Sequence, residues 1–281
     1  MRTEAATQPA VKLTPLMVRV VSGVLLLAAV VGLILLGRWG IWAIVVVLSG
    51  VALWEFRRLS DLIGFRAPSW LLFPLGAYFA FSGTVLQAIP VQLVLALALI
   101  GGLSVFLFIP GRREGLGRWA MGLAGAIYIG LPMNYYLLLY SRAGDGRGLT
   151  WLLVTIITAV VSDAGAMLVG QRLGRHPFFT SISPKKTMEG AAAGIVLCVP
   201  VMLLGGLVFL GMQPWQAVIL GLLVGVSAEA GDLVESQMKR LAGVKDSSHL
   251  IPGHGGVLDR LDSLLFPPIV VYLFAFYLHL L

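Results

Sequence analysis

Apolar residues fill this chain in long unbroken runs, and polar residues gather between them. Leu16 to Leu36 is the first run, Gly37-Arg38-Trp39-Gly40 a tight turn, and Ile41 to Trp54 the second run, closing at Glu55-Phe56-Arg57-Arg58. Trp70 to Ala88 and Val91 to Ile109 follow, split by Pro90, and then a basic loop, GRREGLGR, at 111–118. Trp119 to Tyr140, Trp151 to Val169, Gly190 to Leu210, Trp215 to about Leu233, and Leu264 to Leu281 complete the series. A helix crosses a bilayer with about 20 apolar residues, so the pattern predicts an all-α, polytopic integral membrane protein with about nine transmembrane helices. Two regions are expected: N-terminal transmembrane helices over 1–150, and a C-terminal membrane region over 151–281 that carries two long polar loops and the chemistry.

Composition narrows the class. The 281 residues are 58% hydrophobic and 12% charged, against about 25% charged in a soluble domain. An ordinary soluble protein is excluded. A net charge of +7 is read here as loops facing anionic lipid, with membrane lipids as partners and no nucleic acid. The single cysteine, Cys198, sits in an apolar run and reads as a small buried hydrophobe. The tail MRTEAATQPAVKLTP lacks a short apolar run followed by a cleavage site, so no cleaved signal peptide is expected.

Charge also orients the chain. With the N-terminus in the cytoplasm, only Arg38, Arg142 and Arg147 of the 20 lysines and arginines fall on the far side. The positive-inside rule then places the N-terminus inside and the C-terminus outside. Both polar loops, one after the sixth run and one after the eighth, face the cytoplasm and its water-soluble substrates.

The chemistry concentrates in Ser227 to Ser263. Glu229, Asp232, Glu235, Asp246, Asp259 and Asp262 lie there, nearly half of the chain's 13 acids, among Lys239, Arg240, Lys245, His254 and Arg260. An ionisable residue at membrane depth marks function by default. Glu229, Asp232 and Glu235 are spaced i, i+3, i+6, and Asp259 and Asp262 i, i+3, so neighbours share a helix face. Two acidic segments converging at one membrane face suit a hard divalent cation, which takes carboxylate oxygens and substrate phosphates. The alternative is acids paired with Lys239, Arg240 and Arg260 for folding alone. Between the segments, Ile251-Pro252-Gly253-His254-Gly255-Gly256 allows positive φ and close backbone approach, as a phosphate cradle requires. Upstream, Asp163 lies about two turns inside the sixth run; it is either a packing acid or a substrate or metal contact. Ser183-Pro184-Lys185-Lys186-Thr187 precedes the seventh run. Its lysines meet either phosphate at a helix N-terminus or lipid headgroups.

Ser236-x-x-Lys239-Arg240, Lys245-Asp246, Pro252-Gly253-His254-Gly255-Gly256 and Asp259-Arg260-x-Asp262 together resemble the signature of the phosphatidate cytidylyltransferases, or CDP-diacylglycerol synthases. Ser162-Asp163 and Ser183 to Gly190 look like that family's other recurring features. The resemblance implies transfer of CMP from CTP to phosphatidic acid, giving CDP-diacylglycerol and pyrophosphate for phospholipid synthesis. It also implies Mg²⁺, with room for a second cation, a homodimer, and an active site on the cytoplasmic face of the cell's inner or plasma membrane. On this reading Asp232 and Asp259 bind the metal and Asp163 supports it. Lys185, Lys186, Lys239, Arg240 and Arg260 contact phosphates. Ser183, Thr187, Ser236 and His254, with Gly255 and Gly256, give hydrogen bonds. Lys245, Asp246 and Asp262 hold the loop or touch the nucleotide. Two rivals stay open: a CTP-dependent polyprenol kinase, which would release CDP, and a cation-coupled transporter, which would set its acids near the midplane.

Overall fold

A computed structural model describes residues 14–107 and 112–281. Arg2, Lys12, Phe108, Ile109 and Gly111, all part of the sequence pattern, lie outside these. The described residues form helices α1 (Pro15–Leu35), α2 (Arg38–Leu62), α3 (Ser69–Phe81), α4 (Val91–Leu107), α5 (Arg112–Arg142), α6 (Gly148–Leu173), α7 (Met188–Phe209), α8 (Pro214–Leu241), α9 (Leu258–Leu261) and α10 (Pro267–Tyr277). Among them there is no strand, only two isolated bridges, Pro177 with Thr187 and Ile251 with Gly255. Among the described residues, seven segments are long and apolar enough to cross a membrane, the last running from Leu258 to Tyr277, and α3 and α4 are shorter apolar helices. The chain is an all-α polytopic membrane protein, as the apolar runs predict.

Several boundaries differ from the sequence pattern, and each has a local reason. The third run stops at Phe81, not Ala88, where Ser82-Gly83-Thr84 turns and the Gly83 N–H donates to Asn134 Oδ1 (3.0 Å). The basic stretch at 112–118 is not a loop but the start of α5, where Glu114 and Arg118 pair at i, i+4 (3.1 Å). Helix α2 continues past Trp54 to Leu62, where residues 247–258 receive Glu55, and α8 past Leu233 to Leu241, where Asp259 receives Lys239 and the Ile182 carbonyl receives Arg240. Gly37, at φ 64, makes the expected turn between α1 and α2.

The strongest packing joins α6 to α7, α7 to α8, and α3 to α5. Glycines let the first two pairs close up. A Cβ on Gly194 would stand 2.7 Å from the Ser162 carbonyl oxygen, and one on Gly225 2.7 Å from Ile195 Cα. Small residues allow this backbone approach where lipid offers no hydrophobic drive. Cys198 is fully buried here, its thiol on the Gly194 carbonyl (3.3 Å), as its apolar run predicts. Helix α1 is the outlier: it packs on α2 and leaves most of its apolar surface to lipid.

Arg240 Nε donates to the Ile182 carbonyl (3.1 Å), and Lys186 reaches Glu229. These contacts bring the 174–187 and 242–257 loops to one end of the bundle. Ser22 of α1 and Glu55 of α2 reach that end too.

Candidate active site

Helix α8 delivers two sets of charges to this end, one turn apart. Asp232 and Glu229 receive Lys186 from the first loop, with Nζ 2.7 Å from Glu229 Oε2 and 2.8 Å from Asp232 Oδ2. The Ser236 hydroxyl donates to the other Asp232 oxygen (3.1 Å). Burial works against the Lys186 ammonium, but Asp232 and Glu229 outweigh it and hold its pKa above the ordinary lysine value. Ser162, Asp163, Glu229, Asp232 and Ser263 line one narrow crevice. Ser162 is buried there, beside the Cys198 thiol.

The second set is deeper. Lys239 Nζ lies 3.0 Å from Glu235 Oε2 and 2.7 Å from Asp259 Oδ1. Glu235 is fully buried, with the Asp262 carboxyl beside its own. The second Asp259 oxygen, Oδ2, accepts from the Ser247 N–H (2.9 Å), the Ser247 hydroxyl (2.9 Å) and the Gly256 N–H (2.8 Å). Asp232 and Asp259, paired in the sequence as metal ligands, therefore stand in separate ion pairs. No group of three or more His, Cys, Asp or Glu among the described residues is arranged to hold a metal. Asp262 accepts the N–H of Ser263 (2.7 Å).

The glycine loop is a tight turn. The Ile251 N–H donates to the Gly255 carbonyl (2.8 Å) and the His254 N–H to that of Ile251 (2.9 Å). Gly253 (φ 77) and Gly255 (φ 85) need the freedom anticipated for them. Gly256 has another reason to be glycine: a Cβ there would fall 2.1 Å from Ser247 Oγ and 2.5 Å from Glu55 Oε1. The loop borders a pocket of about 940 Å³ lined by Arg19, Lys185, Lys245, His249, His254 and Arg260, with Asp246 the acid among its walls. That pocket suits a polyanion.

Some expected ligand contacts have internal partners. Thr187 caps α7, its hydroxyl accepting from the Gly190 N–H (3.2 Å), a common helix start. Arg240 is spent on the Ile182 and Val244 carbonyls. The Ser183 backbone shapes the turn to Lys186. Four residues of this end carry no motif signal. Arg19 and His249 line the pocket, and Ser22 holds the Pro252 carbonyl (2.9 Å) and His254 Nδ1 (3.0 Å). The fourth, Glu55, reads in the sequence as the polar end of a span. Its spacing to buried Ala52 and Leu59, at i−3 and i+4, was the available signal that it faces inward.

Residues 17–278 match the model of the cytidylyltransferase family. A phosphatidate cytidylyltransferase of Bacillus subtilis (strain 168) is 30% identical over 268 residues, 92% of this chain and 97% of that protein. One of Synechocystis sp. is 34% identical over 287 residues, 92% of this chain and 95% of that protein. One of Mycobacterium tuberculosis (strain H37Rv) is 33% identical over 245 residues, 80% of this chain and 72% of that protein.

Proposed function

The chain belongs to the cytidylyltransferase family, and on that premise we propose that it transfers CMP from CTP to phosphatidic acid, giving CDP-diacylglycerol and pyrophosphate. The observation that carries this reading is the basic pocket set against the Lys239–Asp259 pair at one end of a membrane bundle. A nucleoside triphosphate enters such a pocket from water, and a lipid phosphate approaches it from the bilayer. The pocket faces the cytoplasm of an inner or plasma membrane, by the charge bias of the loops.

In the reaction, an oxygen of the lipid phosphate attacks the α-phosphorus of CTP. A new P–O–P bond forms, the bond to the β-phosphate breaks, and pyrophosphate leaves. The attacking phosphate is already anionic, so no strong base is needed. The difficulty is bringing polyanions together. Lys185, Lys245 and Arg260 neutralise phosphate charge, and His254 fixes phosphate oxygens, which is positioning plus electrostatics. Lys186 and Lys239 keep the neighbouring carboxylates from repelling the substrates.

Mg²⁺ is part of the proposal. Asp163, Glu229 and Asp232 line one crevice and offer the carboxylate oxygens a hard cation takes, although Lys186 holds Glu229 and Asp232 there and no three acids among the described residues are grouped around one point. When bound, the ion would neutralise charge on the reacting phosphates. Both oxygens of Asp232 are held by Lys186 and Ser236, and both of Asp259 by Lys239, Ser247 and Gly256, so an ion at either carboxylate would displace a protein donor. A homodimer completes the proposal.

The test uses purified protein in detergent–lipid micelles with CTP and phosphatidic acid, with and without Mg²⁺. Equal, Mg²⁺-dependent release of pyrophosphate and CDP-diacylglycerol is expected. Release of CDP would identify a kinase instead, and no turnover in a folded sample would reject the reading. Direct Mg²⁺ titration of the Asp232→Asn protein, expected to bind more weakly, tests the ligand assignment without activity.

A further inference from the structure

Glu55 sits in the last two turns of α2, inside an apolar helix, and its side chain is 0% exposed. A carboxylate in such a place is costly unless every lone pair is met. It is met from far along the chain. Oε1 accepts from the Ser248 hydroxyl and from the Val257 N–H (3.0 Å). Oε2 accepts from the Leu258 N–H (2.6 Å) and lies 3.2 Å from the Ser247 hydroxyl. The donors belong to the two ends of the segment that carries the glycine turn. The Ser247 hydroxyl is shared, since it also lies 2.9 Å from Asp259 Oδ2. Gly256, whose N–H serves Asp259, packs its Cα against the Glu55 carboxylate with no room for a side chain. Each donor to Asp259 Oδ2 thus comes from a residue in contact with Glu55, and Asp259 in turn holds Lys239.

We propose that Glu55 is a positioning residue of the active site: its buried carboxylate pins residues 247–258 to α2 and so sets where Asp259 and the Lys239 ammonium stand. Glu55 does not touch substrate. A carboxylate is required because all of its partners are donors, and an amide would turn its own N–H₂ towards one of those pairs. The catalytic part rests on the cytidylyltransferase reading; the structural part does not.

The experiment compares the full-length protein with Glu55→Gln and Glu55→Asp in lipid micelles, by steady-state kinetics and by amide hydrogen exchange. In Glu55→Gln, kcat is expected to fall on the order of 100-fold, the size of effect produced by a displacement near 1 Å. KM for CTP should change far less. The Val257 and Leu258 amides should exchange faster, while those of α6 and α7 stay protected. Glu55→Asp, which keeps the acceptors, should recover part of the rate. Parental kcat in Glu55→Gln, or parental protection of both amides, would overturn the proposal. If Glu55→Gln fails to fold, Ser248→Ala, which removes one donor, should give a smaller change of the same kind; unchanged kcat and exchange there would overturn it equally. If the parent makes no CDP-diacylglycerol, the functional reading fails, and amide exchange still decides whether Glu55 holds the loop.

Discussion

Replacing Lys239 with methionine should expose how the deep charge cluster is balanced. Methionine keeps most of the volume and removes the ammonium that bridges Glu235 and Asp259. The two carboxylates do not suffer alike. Asp259 keeps the Ser247 N–H, the Ser247 hydroxyl and the Gly256 N–H. Glu235 loses its one basic partner and keeps a second acid, Asp262, beside it, and its side chain is 0% exposed. Breaking a buried pair from one side costs about 3–5 kcal/mol, and here that cost falls mainly on Glu235. With a shift of roughly 2–4 °C per kcal/mol for large domains, the apparent melting temperature should drop by about 6–20 °C. The assay is thermal unfolding in one detergent–lipid mixture, followed by intrinsic fluorescence. The decisive sample is Lys239→Met with Glu235→Gln, which replaces the stranded acid by an amide. It should regain much of the loss, with a coupling of about 0.5–3 kcal/mol in the double-mutant cycle. A Lys239→Met protein as stable as its parent, or a double variant that loses the sum of both single losses, would refute this account.

Three further outcomes follow from the structure. Gly256→Ala forces a methyl group against Ser247 and Glu55; the expected cost is about 1–3 kcal/mol of overpacking together with loss of turnover. Gly243→Ala is its control. Gly243 has φ 67 but open space around it, so melting should report about 1–2 kcal/mol of backbone strain with turnover unchanged. Lys186→Met should destabilise the protein equally from pH 6 to pH 9. The folded pKa of Lys186 lies above its ordinary value of 10.5, so its contribution is complete below 10.5 and fades only as pH climbs through the folded value. Melting of parent and variant across pH checks this, and a gap that closes already near neutral pH would contradict it.

The sequence by itself determined the class of the molecule and the neighbourhood of its chemistry. Runs of apolar residues of bilayer length admit few structures besides membrane helices, because backbone groups in lipid must bond within their own segment. Charges such as Asp232, Lys239 and Asp259 stood out because a membrane protein holds few of them. Pairing was another matter. Local spacing relates Glu229 to Asp232, but nothing local says that Lys186, 43 residues upstream, joins Glu229. Nor does spacing separate Asp232 from Asp259, or show that Thr187 caps a helix. Glu55 lies 192 residues before Ser247 and seemed to end a span at the water's edge. Only the packing of α2 against the C-terminal segment turned it inward and surrounded it with donors. Periodicity and composition are properties of short stretches, so they are legible along the chain. Which buried charge meets which donor depends on how distant helices are placed, and that was decided by the tertiary structure.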